Sequence, residues 1–238
     1  MSLLEESPLM LEILLHLATL LAVVLFYRRD ILKVIIGFGR LITAARLSRM
    51  RECMDRDEDA RLAAAMIVGT VPTVFLGVLL RGAVETLSAT PPLLGLSFLF
   101  CSSLLFGSRF FEGENRPLTL PLALVIGTVQ GIAVFPGISR SGVTIVTALA
   151  LGLNREAAVR FSFLLSLPAI LGAAILELDI NKLTAGAHLP LYLAGTAAAF
   201  VVGLLSLFAL VYLVKRGRLW LFAPYVALAG LFSIFYLG

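Results

Sequence analysis

Apolar residues in this chain fall into long runs, with none of the two-residue alternation of strands. Runs at about residues 9–27, 62–80, 91–111, 155–178, 189–214 and 219–237 each approach the roughly 20 residues a helix needs to cross a hydrocarbon core. They predict about six membrane-crossing helices. Two further runs, 118–134 and 143–153, are shorter, and a polar, glycine-punctuated stretch separates them: Phe135-Pro136-Gly137-Ile138-Ser139-Arg140-Ser141-Gly142. Pro136 removes an amide donor and Gly137 lets the backbone turn, so the pattern predicts a helical hairpin that unwinds at membrane depth and restarts near Ser141.

Residues 28–61 form the most polar part of the chain, with nine basic residues (28, 29, 33, 40, 46, 49, 51, 56 and 61) against six acids (30, 52, 55, 57, 58 and 59). Within it, Ile35, Phe38, Ile42 and Ala45 recur at helical spacing with arginines elsewhere on the wheel, which predicts an interfacial helix over 31–50. The positive-inside rule places this loop in the cytoplasm, together with Arg109 and Arg116, Arg155 and Arg160, and Lys215, Arg216 and Arg218. Residues 81–90 hold only Arg81 and Glu85 and read as a short outer loop. The chain is then inside both before and after the hairpin, which makes the hairpin re-entrant with its tip pointing outward.

The segment 14–21 resembles 164–171, and Gly69-Thr70 with Gly77 resembles Gly195-Thr196 with Gly203. The halves run in opposite directions, as in an inverted repeat, and their small residues suit close helix contacts. The expected fold is an all-α polytopic membrane protein. It is an inverted-repeat bundle of about six crossings plus one re-entrant hairpin, forming a single membrane domain over 1–238. Residues 1–117 make a first repeat with its cytoplasmic loop at 28–61, and 118–238 a second repeat with its hairpin at 118–153. In this register the counterpart of the Ser139–Ser141 turn would precede Met1, so the first repeat is expected to be incomplete.

Composition narrows the classes. With 60% hydrophobic and 14% charged residues, the chain is too apolar for a soluble globular domain and leaves no room for a large soluble one. A net charge of +4 then speaks of orientation and headgroups, and nucleic acid is excluded as an expected partner. Cys53 and Cys101 offer neither a disulfide framework nor metal-ligand spacing and read as inert. Glu5 and Glu6 stand where a signal peptide would be basic, so no cleavable signal is expected.

The candidate chemistry sits at the break. A restarting helix offers free N–H groups and a positive dipole end, and Arg140 supplies a fork of donors that fits phosphate oxygens. With the hydroxyls of Ser139, Ser141 and Thr144, these groups form an anion clamp on the turn built by Pro136, Gly137 and Gly142, and the expected ligand is a phosphate. The alternative is an ordinary proline kink with an arginine that snorkels to the headgroups. Glu12 and His16, four apart on the first helix, either face a polar cavity or lie shallow enough to reach water. Inverted repeats with a broken helix also occur in anion carriers, so a lipid-phosphate transporter or flippase and a non-catalytic lipid-phosphate binder remain alternatives to an enzyme.

Gln130-Gly131, the stretch from Pro136 to Gly142 with Thr144, Gly152-Leu153-Asn154-Arg155-Glu156-Ala157-Ala158 and Phe161-Ser162-Phe163-Leu164-Leu165 together resemble the undecaprenyl-pyrophosphate phosphatases, the bacitracin-resistance phosphatases. Leu15-His16-Leu17 and Arg28-Arg29-Asp30-Ile31 extend the resemblance over nearly the whole chain. It implies a multi-pass enzyme of the bacterial plasma membrane with its active site facing outward. Such an enzyme hydrolyses undecaprenyl pyrophosphate to undecaprenyl phosphate and inorganic phosphate, recycling the lipid carrier of peptidoglycan synthesis. Arg140, Ser139, Ser141 and Thr144 would be catalytic, and Pro136, Gly137, Gly142 and Gln130 would bind substrate. A polyprenyl diphosphate is the implied partner, and a homodimer is an open option. The family also implies two re-entrant hairpins and a divalent cation, Mg²⁺ or Ca²⁺. Its earlier hairpin carries a Glu-x-x-x-Glu pair, a serine-rich turn and a histidine; this motif is not present in the 238 residues. The metal ligands are therefore expected mostly outside them, and the activity of these residues alone is in question.

Overall fold

A computed structural model describes residues 8–47, 49–177 and 189–236, and every described element is helical. The helices are α1 (Pro8–Phe26), α2 (Arg28–Arg46), α3 (Met50–Arg56), α4 (Glu58–Leu79), α5 (Arg81–Ser88), α6 (Pro91–Gly107), α7 (Leu120–Ile132), α8 (Arg140–Ala150), α9 (Arg155–Glu177), α10 (Leu189–Lys215) and α11 (Ala223–Tyr236). Among the described residues, four segments, Glu58–Leu79, Pro91–Phe110, Tyr192–Lys215 and Leu219–Tyr236, are long and apolar enough to cross a membrane. The chain is an all-α polytopic membrane protein.

Two segments differ from the expectation. Residues 81–90 are mostly the short helix α5, and the interfacial helix begins at Arg28 and stops at Arg46, with α3 following after a bend. Helix α2 is also docked: Gly37, Leu41 and Ala44 are buried, and Gly37 lies directly on the Asp59–Ala60 backbone of α4. Asp57 fixes the start of α4 as its N-cap, accepting from the amides of Asp59 and Ala60 at 2.9 and 3.2 Å. Arg40 of α2 bonds the same carboxylate, and this donor holds the Asp57 carboxyl below the usual carboxylate range.

In hydrocarbon, helices gain little from burying apolar surface, so close backbone approach decides which of them associate. The most extensive pairings are α6 with α11 and α4 with α7. Gly95 and Gly230 meet reciprocally, since a Cβ on either would lie 2.7 or 2.9 Å from the carbonyl oxygen of the other. The hydroxyls of Ser102 and Ser233 staple the same pair, donating to the carbonyls of Ala223 (2.8 Å) and Pro91 (2.9 Å). Gly69 meets Gly127 of α7 more tightly still, with a Cβ on Gly127 falling 2.1 Å from the Gly69 carbonyl oxygen. Gly203 makes only ordinary contact and Gly77 faces open space, so the small residues do not contribute equally.

Helices α7 and α8 form the hairpin. At 13 and 11 residues they are about 20 and 17 Å long, short of the roughly 30 Å hydrocarbon thickness. The feet of the hairpin meet: the Arg116 amide donates to the Gly152 carbonyl at 3.1 Å, and the Asn154 side chain donates to that of Asn115 at 3.3 Å. Ion pairs gather near this base, Arg160 with Asp30 at 2.8 Å and Lys215 with Glu156 at 3.0 Å, tying α9 to α2 and α10.

Candidate functional site

The hairpin turns through residues 133–139, and its geometry follows from three residue types. The Ile138 amide donates to the Phe135 carbonyl at 3.2 Å, Pro136 occupies the second position, and Gly137 the third with φ of +87°. Those are the requirements of a type II turn. Gly137 also rests on α6, where an added Cβ would stand 3.1 Å from the Leu94 carbonyl oxygen. Ser139 then caps α8: its backbone is extended, and its hydroxyl accepts from the Gly142 amide at 3.2 Å. Gly142 is buried, with Leu105 of α6 filling the space a side chain would need.

Among the described residues, this arrangement leaves the guanidinium and the first two amides of a cationic helix start without partners. The amides of Arg140 and Ser141 have no acceptor among the described residues, as expected for the first turn of a helix. Arg140 is exposed and forms no ion pair with a described residue. Ser139 is exposed and Ser141 half-buried beside it. Two N–H groups, a guanidinium and two hydroxyls thus belong to the first turn of α8 and its cap, and this donor-rich set suits a phosphate.

Two residues expected at this site belong to its scaffold. Thr144 is fully buried, and its hydroxyl donates back to the carbonyls of Arg140 (2.8 Å) and Ser141 (3.2 Å), so it braces the first turn of α8 and does not reach a ligand. Gln130 is only 2% exposed. Its amide donates to the Leu165 carbonyl at 3.1 Å and the Thr73 hydroxyl at 3.3 Å, and Thr73 in turn donates to Gly69 and Gly127. Pro168 leaves the Leu164 carbonyl of α9 without its helical donor, and Gln130 bonds the adjacent carbonyl, that of Leu165, tying α7 to α9 beside the proline. Thr73, beside Pro72 of α4, is the partner that sequence reasoning missed, because a threonine within an apolar run reads as neutral. Glu12 and His16 fall in α1, but their side chains lie outside the described residues.

Cys101, read from the sequence as inert, touches the site. It is fully buried in α6, and its Sγ accepts the Ser139 amide at 3.3 Å, fixing the residue that caps α8. Cys101→Val, of similar volume and without an acceptor, is expected to raise KM for a lipid diphosphate by about 2- to 10-fold, the worth of one hydrogen bond. Cys101→Ser is expected to restore most of that loss; identical behaviour of the two variants in a phosphate-release assay would deny the contact a role.

Among the described residues no three His, Cys, Asp or Glu side chains come together as a metal site. The donor set at the tip does not fit Mg²⁺ or Ca²⁺, which require carboxylate or carbonyl oxygens. The positive charge there comes from Arg140 and the start of α8.

Comparison with known proteins places this geometry in context. The family described as Bacitracin resistance protein BacA matches residues 1–232. A protein of Desulfatibacillum aliphaticivorans named undecaprenyl-diphosphatase is 44% identical over 234 residues, covering 95% of this chain and 84% of its own. Proteins of the same name from Desulforapulum autotrophicum and Korarchaeum cryptofilum are 40% and 39% identical, with 96% of this chain covered in each case and 84% and 85% of theirs.

Proposed function

We propose, because the chain belongs to the Bacitracin resistance protein BacA family, that it hydrolyses undecaprenyl diphosphate to undecaprenyl phosphate and inorganic phosphate at the hairpin tip. The observation that carries the reading is the start of α8 at the end of a broken membrane hairpin, where Arg140 and two amides have no partner among the described residues. Phosphoryl transfer depends mainly on positioning and charge neutralisation. Arg140 grips the terminal phosphate bidentately, the amides of Arg140 and Ser141 take a further oxygen, and the hydroxyls of Ser139 and Ser141 fix its orientation. Water adds to the terminal phosphorus, the bridging bond to the lipid phosphate breaks, and inorganic phosphate leaves. The reaction would return the lipid carrier to peptidoglycan synthesis. A requirement for Mg²⁺ or Ca²⁺ belongs to the same proposal, with carboxylates beyond the tip as ligands.

The relatives' names favour a hydrolase over a carrier or flippase. Phosphate release from undecaprenyl diphosphate by the purified chain tests this directly. Release above a protein-free control is expected, and none would leave a binder or carrier. The proposed place is the plasma membrane with the tip facing outward, since the basic residues gather where the hairpin feet meet. Cysteines introduced at Ala89 should react with an impermeant reagent from outside, and those at Asp57 and Gly217 should not; the opposite pattern would invert the orientation.

A further inference from the structure

A groove of about 720 Å³ runs along the outer face of α4 from Ala63 to Phe75. Twelve residues of helix rise about 18 Å, roughly three to four isoprene units of four chain bonds each. Val34 and Phe38 of α2 wall one end, and Pro168 of α9 lines one side. The surface is hydrocarbon throughout: its one hydroxyl, that of Thr70, is spent on the Met66 carbonyl at 2.7 Å. The other end, at Phe75, lies level with the last turn of α7. Leu76, next to Phe75, packs on Gly131, where an added Cβ would stand 2.8 Å from the Leu76 Cβ, and Gly131 is the last residue but one of α7 before the chain turns.

A cationic, donor-rich helix start and a concave hydrocarbon groove thus lie within one isoprenoid chain's length on the same molecule. We infer that the α2–α4 groove seats the polyprenyl tail of the lipid whose diphosphate occupies the tip. The inference rests on the functional reading above and adds the place of the tail. Lipid acyl chains are as apolar as the groove, so burial supplies little affinity. Shape supplies the selectivity: a long chain lying along α4 keeps its head beside Arg140, while a short one leaves most of the groove to bulk lipid. The outer face of α10 is equally apolar, with Val201, Val202 and Leu205 at 53, 60 and 63% exposure, and serves as the internal comparison.

The test uses the full chain in lipid nanodiscs with an undecaprenyl diphosphate that carries a photoreactive diazirine in its fourth isoprene unit. Crosslinks are expected on residues 63–75 and 34–38, severalfold weaker in Ile67→Trp and unchanged in Val202→Trp. Ile67→Trp should also raise KM for undecaprenyl diphosphate and leave geranyl diphosphate, too short to reach that far, unaffected. Crosslinks spread equally over α10, or an Ile67→Trp variant that matches Val202→Trp, would overturn the groove. The two readings fail separately: groove crosslinks without phosphate release would sustain the channel and deny hydrolysis, whereas release with crosslinks spread over α10 would do the reverse.

Discussion

Arg140→Lys is expected to lower kcat/KM for undecaprenyl diphosphate by about 10- to 100-fold, while Arg49→Lys, in the bend between α2 and α3, leaves it unchanged. The substitution keeps the charge and removes the planar fork, so it isolates the bidentate contact, which is worth about 1.5–3 kcal/mol. Arg140 is exposed and without an ion pair to a described residue, so nothing in the described fold needs its guanidinium. A loss therefore reports on ligand and not on folding, and an unchanged melting temperature should accompany it. Equal, small effects at both positions would return Arg140 to the role of a snorkelling residue.

Gly127→Val is expected to cause the largest structural loss of any single change in the hairpin. Even the first carbon of the new side chain would lie 2.1 Å from the Gly69 carbonyl oxygen and 2.5 Å from its Cα, all backbone atoms that cannot swing aside. Helices α4 and α7 must then part. Overpacking of this kind costs about 1–3 kcal/mol and sometimes more, and here it would also pull apart the Thr73–Gln130 bonds that join α4, α7 and α9. The measurement is the fraction of monodisperse protein after heating in detergent. Gly77→Ala, with nothing within 4 Å of the added carbon, is the control and should be neutral. A Gly127→Val protein as heat-stable as that control would show that the glycine contact does not hold α7 in place.

The hairpin was legible because it breaks a rule. Two apolar runs too short to span, with proline, glycine and arginine between them, leave few alternatives in a membrane, and the turn at Pro136 and Gly137 with its Ser139 cap follows from residue type alone. What each helix faces was not legible. In lipid the core and the periphery are equally apolar, so α6 and α10 carry no stripe that marks an inner side. That is why Cys101 could not be tied to Ser139, and why Gln130 and Thr144 were assigned to the ligand when their hydrogen bonds turn inward. The docking of α2 was hidden for a different reason: its contact depends on Gly37, and the absence of a side chain leaves no mark in a hydrophobic pattern.

The closed base of the hairpin has a mechanical meaning. With Arg116 bonded to Gly152 across the feet, the two helices leave one platform and return to it, and the rest of the chain enters only at that level. The depth of the turn is therefore set by the lengths of α7 and α8, a rod of about 17 to 20 Å standing on a fixed floor and seated against α4 and α6. One helical turn added to both arms would raise the turn by about 5.4 Å and leave the floor untouched. Under the proposed function, the hairpin is a gauge that would set how far below the surface a lipid headgroup descends to be gripped.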